Sequence, residues 1–316
     1  MTGRRVSEPK NPLLPYLALA VLALIWGASF LFIKVAVSDM SPTALVLIRS
    51  ASGFVTLAVI VAAMRRPLVR PGWKRRLIPF AVMAIGGGLI PWSGIAWGEE
   101  RITSGLASIL SATTPLFAAV LAYWVIPTER PSTVNYAGVS IGFAGVVILV
   151  LPKVAASGLG GDTLGTLSVL VASASYAVVA LYQRRKLRGV DVYEASLGQL
   201  AMTVVVALPF AAPTVPSIHL DIRSAAAVLA LGAAGSGVAY ILYYYVLNSL
   251  GPVRASGVTL LLPVTAVFWG VTLLHEVVTL PIVIGMVVIL SGIVLTNMRK
   301  RAPRPEPVAE PDTAAA

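Results

Sequence analysis

The chain has 316 residues, of which 57% are hydrophobic and 12% charged, with a formal net charge of +11 and a mean hydropathy of +0.87. Soluble domains carry about 25% charged residues, so this composition excludes a soluble protein and predicts an all-α integral membrane protein. The chain contains no cysteine, and His219 and His275 lie far apart in the sequence. We therefore expect no disulfide, no metal site and no cofactor.

The apolar runs predict ten membrane-spanning helices, because about 20 apolar residues cross the hydrocarbon layer of a bilayer. The first run, residues 13–37, is longer than a signal-peptide core, which has about 7 to 15 residues, so we expect an uncleaved span. The predicted helices cover residues 14–37, 42–64, 77–97, 102–125, 133–151, 163–183, 192–211, 224–247, 253–274 and 278–298. Residues 1–13 and 299–316 are predicted to be tails, the second disordered because it is rich in Pro, Ala and acidic residues.

The basic residues between these spans predict the orientation of the chain. Basic clusters fall at residues 4–10, 65–76, 130, 184–188, 254 and 299–304, all on one side of a ten-span topology. The opposite loops hold Arg101, Lys153 and Arg223. Because loops rich in Lys and Arg stay in the cytoplasm, we predict an inner-membrane protein with both termini cytoplasmic and residues 152–162 as a periplasmic linker. The positive charge then sets topology, and no nucleic-acid partner is expected.

A proline inside an apolar run occurs twice with the same preceding residues. In the segment ASILSATTPLF, Ser108 precedes Pro115 by seven positions, and ASGVTLLLPVT places Ser256 and Pro263 at the same spacing. At the same offset of 148 residues, the glycine triplet at 86–88 falls on the Ala-Gly-Ser sequence at 234–236. The two prolines predict helices bent around a central cavity, although packing kinks are the alternative interpretation.

This internal similarity predicts two repeats, residues 14–151 and 163–298, with five helices each. Since five is an odd number, the second repeat must enter the membrane from the opposite side. Inverted repeats of this kind are typical of secondary transporters, whose binding site lies near the midplane between the repeats.

The sequence resembles the EamA-type transporters of the drug/metabolite transporter superfamily over residues 16–298. The resemblance rests on WGASFLFIK in the first helix, PTALVLIRS in the second, the paired ASx6P segments, TER before the fifth helix and HE before the tenth. It implies ten transmembrane helices in two inverted five-helix repeats around a central cavity. It also implies a secondary transporter, not an enzyme, that exports a small organic metabolite such as an amino acid by alternating access. HEVVT departs from the Gly-Glu that is usual in the family at this position.

Two basic residues, Lys34 and Arg49, lie inside predicted spans, where charges usually mark a transport pathway or an ion pair. Either residue would attract a carboxylate or phosphate of a solute. Alternatively, each would extend to the membrane interface or pair with Asp39, Glu99 or Glu100.

Aromatic side chains deep in the spans predict a pocket for a partly apolar solute, because indole and phenol groups need polar partners there. We add hydroxyl residues from the two predicted helices that contain Pro115 and Pro263. The predicted substrate-binding residues are Trp26, Arg49, Trp92, Ser108, Tyr176, Tyr240, Tyr244, Ser256 and Thr259.

The carboxylates predict no proton pathway. Glu129 and Glu276 each precede a helix, where a carboxylate caps the positive end of the helix dipole. No Asp or Glu lies at the centre of a predicted span, so the sequence does not indicate proton coupling through a buried carboxylate. A lipid scramblase and a membrane-embedded lipid-modifying enzyme are the alternative functions. Membrane lipid is the expected surrounding partner, and homo-oligomerisation stays open.

Overall fold

A computed structural model describes residues 13–125, 132–157, 160–218, 221–255 and 257–298. These residues form helices and connecting turns, without strands. In chain order the helices are α1 (Leu14–Ala36), α2 (Pro42–Ala63), α3 (Trp73–Glu99), α4 (Ser104–Ser111 and Thr114–Val125), α5 (Thr133–Ser157), α6 (Gly161–Lys186), α7 (Val192–Ala211), α8 (Ile222–Gly251), α9 (Val258–Leu274) and α10 (Leu280–Asn297). Ser256, Glu129, His219 and the predicted tails at 1–12 and 299–316 lie outside the described residues.

The helices form an all-α membrane fold. Within the described residues, nine helices are long and apolar enough to cross a bilayer, and α9, with 17 residues, is shorter. Large apolar side chains such as Val59 and Phe210 are exposed on the outside of the bundle, where lipid covers an apolar surface that water would not tolerate. The prediction of a multi-helix membrane protein is therefore confirmed.

Short polar side chains set several helix starts. Ser41 caps α2 by accepting a hydrogen bond from the N–H of Ala44 at 3.2 Å, and Pro42 follows in the first turn. Thr103 and Asp191 cap α4 and α7 in the same way. Such caps satisfy backbone N–H groups that have no partner inside the helix, so these local signals explain why most predicted helix starts lie close to the observed ones.

The predicted span 102–125 is observed as α4, which is interrupted at residues 112–113. Pro115 lies in the first turn after the interruption, where a proline costs little. The proline cannot donate to the carbonyl of Ser111, and the hydroxyl of Thr114 donates to it instead at 2.9 Å. Pro263, its sequence counterpart, lies inside the continuous helix α9. The matched prolines therefore occupy different local structures.

Helices α5 and α10 pack closely through glycines. A Cβ atom on Gly138 would lie 2.8 Å from the carbonyl oxygen of Gly292, and one on Gly145 would lie 3.0 Å from that of Gly285. Residues larger than glycine would force the helices apart. This contact joins the last helix of one repeat to the last helix of the other.

Two short π-helical turns interrupt α3 and α8 at matching positions, Ile85–Leu89 and Ala233–Val238. The carbonyl of Gly86 accepts a hydrogen bond from the hydroxyl of Ser175 at 2.7 Å, and that of Gly235 accepts one from the indole of Trp26 at 3.1 Å. Donors and acceptors are both 149 positions apart in the sequence. Equivalent helices of the two repeats therefore make equivalent contacts at these turns.

Candidate functional site

Arg49 is a buried arginine on α2, with 8% of its surface exposed. Its guanidinium carbon lies 4.0 Å from the centre of the Trp92 ring, a cation–π arrangement. Its Nε donates to the hydroxyl of Ser236, in the π-turn of α8, at 3.2 Å. One side chain thus connects α2 and α3 of the first repeat with α8 of the second.

The guanidinium group of Arg49 keeps most of its donors free. Within the described residues, no carboxylate lies at ion-pair distance from Arg49, and its Nη atoms donate no hydrogen bond. A planar fork of N–H donors fits the two oxygens of a carboxylate or phosphate. The alternative interpretation, a pairing of Arg49 with Asp39, Glu99 or Glu100, is therefore not observed.

Three tyrosines lie near the Arg49–Trp92 pair. Tyr176 and Tyr240 pack against the hydrophobic cluster that contains Trp92. Tyr240 stacks on Tyr244 with 6.4 Å between ring centres. Tyr176 and Tyr240 are half-buried. The structure brings five of the nominated residues together.

Of the other predicted substrate-binding residues, Trp26 lies next to the cluster at the π-turn of α8, whereas Ser108 and Thr259 lie at other places. Trp26 is 5.5 Å from Tyr243, ring to ring, at the α8 π-turn. Ser108 is completely buried and donates to the carbonyl of Gly105 in its own helix, and Thr259 lies in the first turn of α9. Ser108 therefore directs its hydrogen bond into α4, away from the aromatic cluster.

Sequence reasoning missed several polar residues around the cluster. Ser236 contacts Arg49, Ser196 bonds the hydroxyl of Tyr244 at 2.8 Å, and Gln199 donates to the carbonyl of Gly87 at 3.3 Å. For Ser236, the sequence held one signal, which is its alignment with the glycine triplet at 86–88. The other two lie on α7, where neither periodicity nor charge distinguishes them from packing residues.

Lys34 and Glu99 meet at the opposite edge of the site. The ammonium of Lys34 donates to the backbone carbonyl oxygens of Glu99 and Ile102, the second at 3.0 Å. Glu99 is completely buried, and within the described residues neither of its carboxylate oxygens has a hydrogen-bond partner. A buried carboxylate is therefore present, contrary to the expectation from the sequence.

Polar contacts join the two repeats near both ends of the bundle. At one end, which we call the basic end, Asp191 on α7 pairs with Arg70 at 3.0 Å and Arg76 pairs with Glu194. At the other end, which we call the acidic end, the carboxylate of Asp39 accepts a hydrogen bond from the hydroxyl of Ser224 at 2.6 Å. The Arg49 cluster lies between these two sets of contacts. Within the described residues, no group of His, Asp and Glu could hold a metal ion.

Comparison with known proteins gives consistent matches over the whole span region. The sequence profile of the EamA-like transporter family matches residues 13–151 and again residues 163–298. "Uncharacterized transporter YoaV" of Bacillus subtilis is 26% identical over 286 residues, covering 89% of this chain and 96% of the relative. "Uncharacterized inner membrane transporter YedA" of Escherichia coli K12 is 27% identical over 300 residues, covering 93% and 94%. A protein of known crystal structure is 19% identical with a TM-score of 0.63, covering 90% of this chain and 96% of that one.

Proposed function

Because the chain belongs to the EamA-like transporter family, we propose that it exports a small organic solute carrying an anionic group, such as an amino acid or a related acid, by alternating access. The coarser statement, a multi-pass membrane transporter, follows from the family and the apolar helices. The relatives bear names that specify transport without a substrate. The solute class must therefore be argued from the site.

The observation that carries the proposal is the free guanidinium fork of Arg49 inside the bundle. An arginine in the membrane is costly and marks a ligand or pathway when it lacks an internal counter-ion. Tyr176 and Tyr240, which are half-buried and pack with Trp92, offer apolar area near that charge. A solute with a carboxylate or phosphate and a partly apolar body matches both features. A scramblase would instead need polar groups along a lipid-facing groove, whereas Arg49 is buried.

The contacts between the repeats support alternating access through an inverted repeat. The C-terminal end of α1 contacts the C-terminal end of α3 through Lys34, away from the basic end. The C-terminal end of α6, the counterpart of α1, carries the basic segment 184–186 instead. Equivalent helices would then run in opposite directions. The Asp191 contacts at the basic end and the Asp39 contact at the acidic end are matched gates, and opening one while the other stays closed would expose the site to one side. The excess of Lys and Arg at the basic end supports its placement on the cytoplasmic side.

A paired substitution tests the role of Arg49. A metabolite comparison of cells with and without the protein identifies the solute, and its flux is then measured in proteoliposomes. Arg49→Lys should lower transport about tenfold or more, since it keeps the charge and loses the bidentate fork. Arg101→Lys is the matched control, because Arg101 also lies over a tryptophan, 3.7 Å from the centre of the Trp97 ring, but is 30% exposed. Unchanged transport by Arg49→Lys would contradict the binding role.

A further inference from the structure

Glu99 is a buried acidic group that the proposed transport site leaves unused. It has no exposed surface, and within the described residues both carboxylate oxygens lack a hydrogen-bond partner. Its neighbour Glu100 is 30% exposed and pairs with Arg101 at 2.7 Å. Adjacent glutamates at the end of α3 therefore have opposite environments, and the difference needs an explanation.

The charged groups near Glu99 come from three elements and do not pair with it directly. Lys34 on α1, Arg49 on α2 and Glu276 before α10 act on it electrostatically. Lys34 donates to backbone carbonyls, and Glu276 accepts from the N–H groups of Ser104 and Gly105. The hydroxyl of Ser104 is also buried without a partner in the described part of the chain.

A charged carboxylate enclosed without donors is strongly disfavoured relative to the neutral acid. We propose that Glu99 is a proton-binding site, occupied in this closed conformation and linked to anion binding at Arg49; the linkage rests on the proposed function. When the acidic end opens, water reaches the carboxyl group, which releases its proton to that water. Reprotonation by hydronium restores the neutral acid before the end closes.

The sign of the linkage follows from the charges. The guanidinium of Arg49 lies over Trp92, which is on the same helix as Glu99, about two turns before it. The positive charge of Arg49 therefore stabilises ionised Glu99, and an anionic solute bound to Arg49 offsets that charge. Anion binding therefore favours proton uptake at Glu99, and by reciprocity protonation of Glu99 strengthens anion binding. Solute and proton should bind together and move in the same direction, so a solute that accumulates inside leaves with a proton down its own gradient.

Infrared spectroscopy of the purified full-length protein tests the proton site without any ligand. The wild-type protein should show the carbonyl stretch of a protonated, weakly hydrogen-bonded carboxyl group at neutral pH. Glu99→Gln should remove this band, and Glu100→Gln, the matched control, should keep it. A spectrum that Glu99→Gln leaves unchanged would overturn the proposal. A carboxylate band that changes when sodium replaces choline in the buffer would also overturn the proposal, because the site would then hold a metal cation.

Benzoate, an aromatic carboxylate, tests the linkage to Arg49. Its addition to weakly buffered wild-type protein should cause proton uptake. Adding benzoate to the Glu99→Gln variant, or the uncharged probe benzamide to the wild-type protein, should cause none. Benzoate affinity should rise by at least about fivefold as Glu99 becomes protonated. Benzoate binding without proton uptake would overturn the linkage. Absence of benzoate binding, with the infrared band intact, would count against the anion site at Arg49 and leave the proton site standing.

Discussion

Single residues carry the connection between the repeats, and Glu276 is the clearest case. Its carboxylate accepts hydrogen bonds from the N–H groups of Ser104 and Gly105 at 2.7 and 3.1 Å, at the start of α4. A helix-capping role for Glu276 was predicted from its position before α10. The helix that it caps belongs to the other repeat, which the sequence could not indicate because the contact depends on tertiary packing.

Glu276→Ala should therefore destabilise the protein by about 1–3 kcal/mol, since two N–H groups lose a charged acceptor. The measurement is the thermal unfolding midpoint in detergent, which should fall. The midpoint of Glu276→Gln should lie between those of the wild-type protein and Glu276→Ala, because the amide oxygen of glutamine can still accept a hydrogen bond. Glu100→Ala is the control at an exposed site. Equal midpoints for Glu276→Ala and Glu100→Ala would show that the cap contributes nothing to stability.

The contrast between Glu99 and Glu100 marks a limit of sequence reasoning at this scale. Both follow the same apolar run, and a carboxylate at a helix end ordinarily reaches the membrane interface. The rotation of α3 decides which of the two faces the protein, and that rotation follows from packing against α1 and α6. The same limit applies to Arg49, whose depth was predictable but whose contacts with Trp92 and Ser236 were not.

At the scale of helices, the π-turns of α3 and α8 distinguish this bundle from ten regular spans. The π geometry itself depends on Ser175 and Trp26, which bond the carbonyls of Gly86 and Gly235 from neighbouring helices. Since π-turns occur frequently at functional sites, their place beside the Arg49 cluster fits the proposed binding region.

Gly88 tests the packing at the first π-turn. A Cβ atom there would lie 2.6 Å from the hydroxyl oxygen of Thr203 and 3.0 Å from its methyl carbon. Gly88→Ala should lower the thermal midpoint although alanine favours helices. Adding Thr203→Ala should restore much of the loss by removing both atoms. Gly161→Ala, with nothing within 4 Å of its Cβ, is the control. Failure of Thr203→Ala to rescue would refute this steric explanation.

At the scale of the whole molecule, hydropathy and the 148-residue offset predicted the helix number and the two-repeat organisation, because both leave a strong mark on the sequence. The break in α4 was not predicted, since a proline alone does not show where the backbone stops being helical. The partners of each helix also stayed open, because apolar surfaces in a membrane fit many neighbours.

The inverted topology can be tested with single thiols, since the chain has no native cysteine. Gly161→Cys and Arg188→Cys introduce thiols at exposed positions at opposite ends of α6. A membrane-impermeant maleimide should label Gly161→Cys from the periplasm and Arg188→Cys only after the cytoplasmic side is opened. Labelling of both from the same side would contradict the ten-span topology.

On the proposed function, Arg49 binds the anionic group of the solute at the junction of the repeats. The most direct measurement is proteoliposome transport of the acid identified by metabolite comparison and of its uncharged amide, in wild-type protein and in Arg49→Ala. The wild-type protein should prefer the acid, and Arg49→Ala should lose about tenfold or more of that preference while amide transport persists, because a charged hydrogen-bonded pair contributes about 1.5–3 kcal/mol. An equal preference for the acid in both proteins would contradict the claim.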